Sequence, residues 1–274
     1  MYFWEILILN LVMYKLKTFL RYVADYLKFG EFYFLWTSIL YVLTKKVNPP
    51  ARRYRSSLGT FMTREGTLDF QFLNYAYEWN VKRFVLEHYR DYNLFLDIGS
   101  NVGTYSFLMA GKGIRSHAFE PVKENYDSIV MNVRGNSLEN KITPHNFGLG
   151  ARNFVEDFIF ESMNTGASHL ASIHSYVETR GEVGIKEKVE IKTLDSVLTG
   201  INYTKDDKIL IKIDAEGMEI DVLEGAKRFI IEHPHFLIVM ESKHSGANRI
   251  KEFLKTAGNF IYMEVDSDNM AIMK

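Results

Sequence analysis

The sequence predicts an α/β fold: a doubly wound, mostly parallel sheet with a C-terminal antiparallel hairpin, preceded by an N-terminal helical appendage. Three observations predict it. From about Leu68 short apolar runs alternate with helical periodicity. A glycine-bearing turn, Asp97-Ile98-Gly99-Ser100-Asn101-Val102-Gly103, falls where the first such run meets its helix. The first fifty residues follow a different pattern, helical throughout. Strand and helix in alternation favour parallel pairing, because the helix carries the chain back to the edge it left.

The elements follow in order. Ile6, Leu9, Met13, Leu16, Leu20, Val23 and Leu27 recur in steps of three and four, so a helix runs from the start to about Phe29 and ends at Gly30. Phe32 to Leu43 forms a second apolar helix. Both fall short of the roughly 20 apolar residues a bilayer span needs. Positive charge follows rather than precedes the first apolar run, so no secretory signal is read. Two uses of residues 1–50 stand open: a membrane interface with Trp4 and Trp36 near the water boundary, or packing and homodimerisation along the heptad-like stripe. Pro49 and Pro50 open a basic linker over residues 51–67, and a single domain follows over residues 68–274.

Within that domain a helix carries Phe84, Leu86 and Tyr89, and Leu94 to Ile98 is a short buried strand. A helix from Gly103 to Ala110, a strand from Ser116 to Phe119, a helix from Lys123 to Val133 and a strand from Ile142 to Phe147 come next. After Gly150 the rhythm breaks into an insertion, with strands Phe154 to Phe160 and Lys188 to Lys192 around a loop, Met163 to Ser172. Alternation resumes with the strand Ile209 to Ile213 and one helix presenting Ile220, Leu223, Ala226 and Ile230. Strand Phe236 to Met240 and a helix with Ile250, Phe253, Leu254 and Ala257 lead to the closing hairpin, Phe260 to Val265 and Met270 to Met273.

Composition narrows the chemistry. The 274 residues are 47% hydrophobic and 24% charged, enough to bury a core. Lys and Arg number 33 against 34 Asp and Glu, so no global field draws nucleic acid. The chain has no Cys, which excludes disulfides, thiolate metal sites and cysteine nucleophiles and fits a cytoplasmic setting.

The Asp97–Gly103 turn lies at the carboxyl edge of the expected sheet, where a nucleotide-type cofactor meets glycine backbone and free helix N–H groups. The dinucleotide pattern G-x-G-x-x-G is matched at only one of its glycines, which argues against NAD and FAD. About 23 residues on, Glu120 in Ala118-Phe119-Glu120-Pro121 ends the second strand, placed to accept ribose hydroxyls.

In this order the motifs DIGSNVGTYS from Asp97, FEP from Phe119, NFGLG from Asn146, TLDS from Thr193 and IKIDAEGMEIDVLEGA from Ile211 carry a resemblance. The chain resembles the FkbM-type S-adenosylmethionine-dependent methyltransferases over about Leu94 to Met240. Gly148 departs from the alanine more frequent there, and residues 1–67 carry no part of the likeness. The resemblance implies a Rossmann-like class I methyltransferase fold, S-adenosylmethionine as cofactor and a hydroxyl-bearing small-molecule or glycan acceptor. It implies that Asp97 orients the turn near the methionine amino group, and that Gly99, Ser100, Asn101, Gly103 and Thr104 form the cradle. Glu120 with Pro121 would hold the ribose, and Asn146 and Phe147 would border the adenine, Phe147 being equally readable as core.

Strand alternation sends Lys212 and Asp214 to one face, where they could form an ion pair. Asp214 then either takes the proton of an acceptor hydroxyl or orients it, with Glu216 next in line. Glu241 and His244, beyond the fifth strand, border the same edge as acceptor-lining candidates or ordinary loop residues. Asp214 and Glu241 offer oxygen ligands to a divalent cation without establishing one. His233 and His235 read as a structural turn, and His169 and His174 as insertion residues, His169 with an acceptor contact as the alternative. The function expected is O-methylation of a sugar, glycan or glycolipid hydroxyl. N-methylation, a protein acceptor and a silent scaffold are the rivals.

Overall fold

The computed structural model describes residues 13, 17, 19–44, 51–160, 169–170 and 185–274. Trp4, most of the first apolar stripe, His174 and most of the insertion loop therefore lie outside the described residues. Helix α1 (19–28) ends at Gly30, whose φ of +70° suits a residue without a side chain. Helix α2 (Phe32–Thr44) turns back beside it.

Residues 51–67 are not an open linker. Strands β1 (Arg52–Ser56) and β2 (Gly59–Thr63) form an antiparallel hairpin with Tyr54 and Phe61 buried. Its second edge is met by a helix instead of a strand. Asn132 Nδ2 donates to the Met62 carbonyl and its Oδ1 accepts from Met62 N, at 3.1 and 2.7 Å. Asn136 does the same at Thr60, donating at 2.7 Å and accepting at 3.1 Å. The arginines masked the strand alternation, and the partners that satisfy the backbone lie 70 and 76 residues away. The appendage docks here: Tyr33 donates to Tyr54 across 2.6 Å, and Phe34 is buried.

Helices α3 (Asp69–Phe72) and α4 (Trp79–His88) lead into β3 (Leu94–Ile98), α5 (Thr104–Ala110), β4 (Arg115–Phe119), α6 (Lys123–Gly135) and β5 (Ile142–His145). The fifth strand stops before Phe147, because Asn146 turns inward and donates to the carbonyls of Glu120 and Pro121. The chain then enters a second sheet of β6 (Gly148–Leu149), β7 (Phe154–Phe160), β8 (His169–Leu170) and β9 (Ile185–Lys192), in the order β6-β9-β7-β8. The short helix α7 (Leu194–Val197) is capped by Thr193, whose hydroxyl accepts from Ser196 N. Strand β10 (Ile209–Ile213) follows.

The single helix expected next is two, α8 (Glu219–Gly225) and α9 (Lys227–Glu232). The break falls at a close crossing, where a side chain on Gly225 would collide with the Gly150 carbonyl oxygen. Strand β11 (Phe236–Glu241), α10 (Ala247–Leu254), β12 (Ile261–Glu264) and β13 (Asn269–Met273) complete the chain.

The main sheet runs β12-β13-β11-β10-β3-β4-β5. β11, β10, β3, β4 and β5 pair in parallel, and β13 runs antiparallel to both its neighbours, as the closing hairpin requires. Period-two alternation divides the core between two helical layers. Leu94, Leu96 and Ile98 join Ile209, Ile211 and Ile213 against α8, α9 and α10. Phe95 and Leu210 face α4 and α5 with Val81, Val85 and Leu108. Strand order reverses at β3, with β4 and β5 added on one side and β10 and β11 on the other, which opens a crevice at the carboxyl ends of β3 and β10, the usual ligand position in such sheets. Asp97 and Lys212 are register partners on the α4–α5 face of that crevice.

Candidate active site

The crevice is an open cavity of about 920 Å³, counting the solvent space of its mouth. Its floor is the turn after β3. Gly99 has φ +74°, and a side chain there would collide with the Asp214 carbonyl oxygen. The turn is drawn onto both neighbouring strands: Asp214 N donates to Ile98 O at 3.0 Å, and Gly99 N and Ser100 N both donate to Phe119 O at 3.1 Å. Asn101 takes φ +50°, a left-handed conformation that its short amide side chain tolerates. Gly103, at φ +83°, starts α5 from beneath the cavity, against Phe107 and Ile129.

Two buried acids, Asp97 and Glu120, and a buried lysine, Lys212, organise this floor. Asp97 Oδ2 accepts from Ser106 N and Oγ at 2.9 and 2.7 Å, so it fastens β3 to α5. Burial raises its pKa to about 6, against the opposing pull of Lys212 and Ser106. Glu120 accepts Asn101 N at 2.8 Å on one oxygen and Val122 N at 3.0 Å on the other, and burial lifts its pKa to about 7. Lys212 Nζ donates to Asp214 Oδ2 at 2.7 Å, the expected ion pair. Burial opposes the Lys212 charge, but Asp214, Glu78 and Asp97 together outweigh it and hold the ammonium protonated.

Asp97, Gly99, Ser100, Asn101, Thr104, Glu120, Pro121, Lys212, Asp214 and Glu216 all line the cavity, and Gly103, Asn146, Phe147, Glu241 and His244 stand outside its lining. Thr104 reaches back, donating to Phe72 O at 2.9 Å. Asn146 acts on the backbone of Glu120 and Pro121 rather than on the cavity, and Phe147 packs against Phe119 and His145 with Lys192 over its ring. The apolar wall where they were expected is made by Gly148, Leu149, Ile191 and Met218. Behind it His117 and His145 stack and share a ring-nitrogen contact of 2.9 Å, with burial lowering both pKa values to about 4.

Of the two acids that offered oxygen ligands to a cation, Asp214 gives one oxygen to Lys212, and Glu241 lies in a separate cluster of donors. Glu216, Glu241 and His244 bring ligand atoms within 4.8 Å of one another, a donor set suited to a divalent cation. Burial, then the neighbouring acids, raise Glu216 to about 8 and Glu241 to about 7. Glu219 steadies this rim: its Oε1 accepts from Gly217 N at 3.0 Å and its Oε2 from the Ser245 hydroxyl. His233 is structural, buried on Phe229 with Nε2 donating to Asp207 O.

Sequence reasoning missed the wall made by Phe72, Tyr77, Glu78 and Tyr105. Tyr105 had a signal, one residue into the helix that Gly103 starts. Glu78, in a left-handed conformation ahead of α4, had none.

The residues fit a nucleoside cofactor. Ser100 Oγ and Asn101 Oδ1 are buried polar atoms of the cavity floor that find no protein partner among the described residues, beside an acid and an apolar slot. Comparison with known proteins agrees with that arrangement. Residues 97–263 match the model of the methyltransferase FkbM domain, more than half of the chain. Hexuronic acid methyltransferase AglP of Haloferax volcanii is 26% identical over 166 residues, 59% of this chain and 61% of that protein. The chain thus spans about three fifths of the length of that curated relative. Among solved structures, a methyltransferase FkbM from Methylobacillus flagellatus superposes with a TM-score of 0.45 at 18% identity, covering 67% of this chain and 44% of that one. An O-methyltransferase from Bacillus cereus in complex with SAH gives 0.40 at 15%, covering 72% and 81%. On the strength of the matched segment, which contains the glycine turn, the ribose-side acid and the Lys212–Asp214 pair, the chain belongs to the FkbM methyltransferase family.

Proposed function

We propose that the protein is an S-adenosylmethionine-dependent methyltransferase that O-methylates a hydroxyl of a sugar, glycan or glycolipid. One observation carries the reading: the Lys212–Asp214 pair borders the same cavity as the Gly99–Gly103 turn and Glu120. Glu120 would hold the ribose, Ser100 and Asn101 the polar groups beside it, and Leu149, Ile191 and Met218 the adenine face. When bound, the cofactor supplies a sulfonium methyl that needs little electrophilic help, so positioning supplies much of the acceleration.

Asp214 is the group placed to serve the acceptor. Lys212 holds one of its oxygens in place, and the carboxylate orients an acceptor hydroxyl or takes its proton as oxygen bonds carbon. Glu216, with Glu241 and His244 beyond it, lies on the acceptor side of Asp214, either as hydrogen-bonding wall or around a divalent cation. The sugar class is supported by the similarity to a hexuronic acid methyltransferase.

The test has two stages. Calorimetric titration with S-adenosylhomocysteine gives saturable binding that Glu120→Ala weakens, with NAD silent. Labelled methyl donor offered with neutral and uronic-acid oligosaccharides then gives a base-stable ether. Base-labile label would mean carboxyl esterification, and no binding by the folded protein would overturn the reading.

A further inference from the structure

Five carboxylates line the cavity, and four have structural or charged company. Asp97 is held by Ser106, Glu120 by the backbone of Asn101 and Val122, and Asp214 by Lys212, while Glu216 stands with Glu241 and His244. Glu78 differs. Its Oε2 accepts the Tyr105 hydroxyl at 2.8 Å, and its charge reaches Lys82 and Lys212 without a direct ion pair among the described residues.

The chain spends conformational energy to put it there. Glu78 takes φ +50° and ψ +41°, a left-handed conformation uncommon outside glycine and asparagine. Lys82, one turn into α4, fixes it from behind: its backbone N donates to Glu78 O at 3.0 Å, and its ammonium donates to the neighbouring Tyr77 carbonyl. Lys82 is wholly buried, and its ammonium lies 5.0 Å from the Tyr77 ring centre and 5.1 Å from that of Tyr105. Lys212 approaches the same Tyr105 ring at 4.7 Å. A phenol ring between the Lys212 ammonium and the buried Lys82 amine, whose pKa burial lowers to about 7, is held firmly, and its hydroxyl fixes the Glu78 carboxylate.

We propose that Glu78 receives the ammonium group at the amino-acid end of the cofactor, and that Lys82 and Tyr105 are its positioning residues. The inference rests on the cofactor assignment made above. With ribose at Glu120 on β4, the rest of the ligand crosses the turn of β3 toward β10, the central strand order running β10-β3-β4. Tyr77, Glu78 and Tyr105 wall that end of the cavity together with Lys212. Charge asks for a cation there: Glu78, Asp97 and Asp214 all act on Lys212, while burial weakens the charge of Lys82 beside Glu78. The cation must also donate hydrogen bonds to a carboxylate, which an ammonium does and a sulfonium does not. Glu78 precedes the segment matched to the family, so the region before β3 would complete the cofactor site.

Two ligands separate this end from the nucleoside end. 5′-Methylthioadenosine has the nucleoside and sulfur of S-adenosylhomocysteine but lacks the ammonium and carboxylate. In calorimetric titration of the full chain, Glu78→Gln should weaken S-adenosylhomocysteine about 10- to 100-fold, the loss of a charge-assisted hydrogen bond. Methylthioadenosine binding should stay within about twofold. Tyr105→Phe, which keeps the ring and loses the hydroxyl, should show a smaller loss of about three- to tenfold, again confined to S-adenosylhomocysteine. Glu78→Asp should recover part of the affinity, which a merely structural role would not produce. Equal loss of both ligands, or unchanged S-adenosylhomocysteine affinity in Glu78→Gln, overturns the inference while leaving the cofactor reading intact. Failure of the folded wild-type protein to bind either ligand overturns both.

Discussion

The carboxyl edge of β3 and β10 and the helices ahead of β1 handle their surfaces in opposite ways. At the edge, charge is buried: Asp97, Glu120 and Lys212 are each almost wholly covered. In the appendage, apolar surface is exposed: Phe32, Trp36 and Leu43 of α2 are 65%, 60% and 75% accessible, although Phe34 and Tyr26 are buried on the inner side. Buried charge costs stability unless it is held by hydrogen bonds, and here each group is, so the edge is rigid by construction. Exposed apolar side chains cost little until something covers them. The first region is built to hold a ligand of fixed shape, and the second leaves its outer face available for contact. Among the described residues no helix is long and apolar enough to cross a membrane.

Substitutions sharpen this contrast. The largest effect is expected at Gly99→Ala, where positive φ and collision with the Asp214 carbonyl combine. Urea unfolding should show a loss of about 3–5 kcal/mol. A loss below about 1 kcal/mol would mean the turn yields and the edge is less rigid than its contacts imply. Asp214→Asn should lower kcat by about 10²–10⁴ while the S-adenosylhomocysteine Kd moves by about threefold or less. Parallel losses would move Asp214 to the cofactor side.

The stacked histidines test the cost of charge behind the edge. Their folded pKa values of about 4 lie below the ordinary 6.5, so the unfolded chain binds more protons between those limits. Stability is therefore full above pH 6.5 and falls as pH drops toward 4, by about 1.4 kcal/mol per pH unit for each proton excluded. His145→Phe keeps a ring against Phe119 and Phe147 and should shallow that slope in thermal unfolding followed across pH. An unchanged slope would place the acid sensitivity elsewhere. The smallest effect is expected from Phe32→Ser with Trp36→Ser, which should shift stability by about 0.5 kcal/mol or less. The same pair should reduce self-association in sedimentation. A drop in liposome binding instead would identify lipid as what the face meets.

Much of the main sheet was legible because its signals are local. LFLDI and ILIKI are continuous apolar runs closed by polar turns, and β3 and β10 have the expected bounds. Parallel registry then brings distant strand ends together, which is why Asp97, Glu120 and Asp214 share one cavity. What escaped depends on distant or strained partners. The β1–β2 hairpin is completed by asparagines of α6. Asn146 was read as a cavity residue, but its amide is spent on two carbonyls. Glu78 enters the wall through a left-handed turn that composition does not announce.

The paired amide contacts of Asn132 and Asn136 carry a consequence for solution behaviour. Hydrogen-bonding groups along a free strand edge invite pairing with a second chain. On β2 the groups of Thr60 and Met62 that would do so are already occupied by helix side chains, while β1 carries Arg53 and Arg55 as exposed like charges. One edge is sealed and the other is defended by repulsion, so the hairpin resists serving as a template for aggregation.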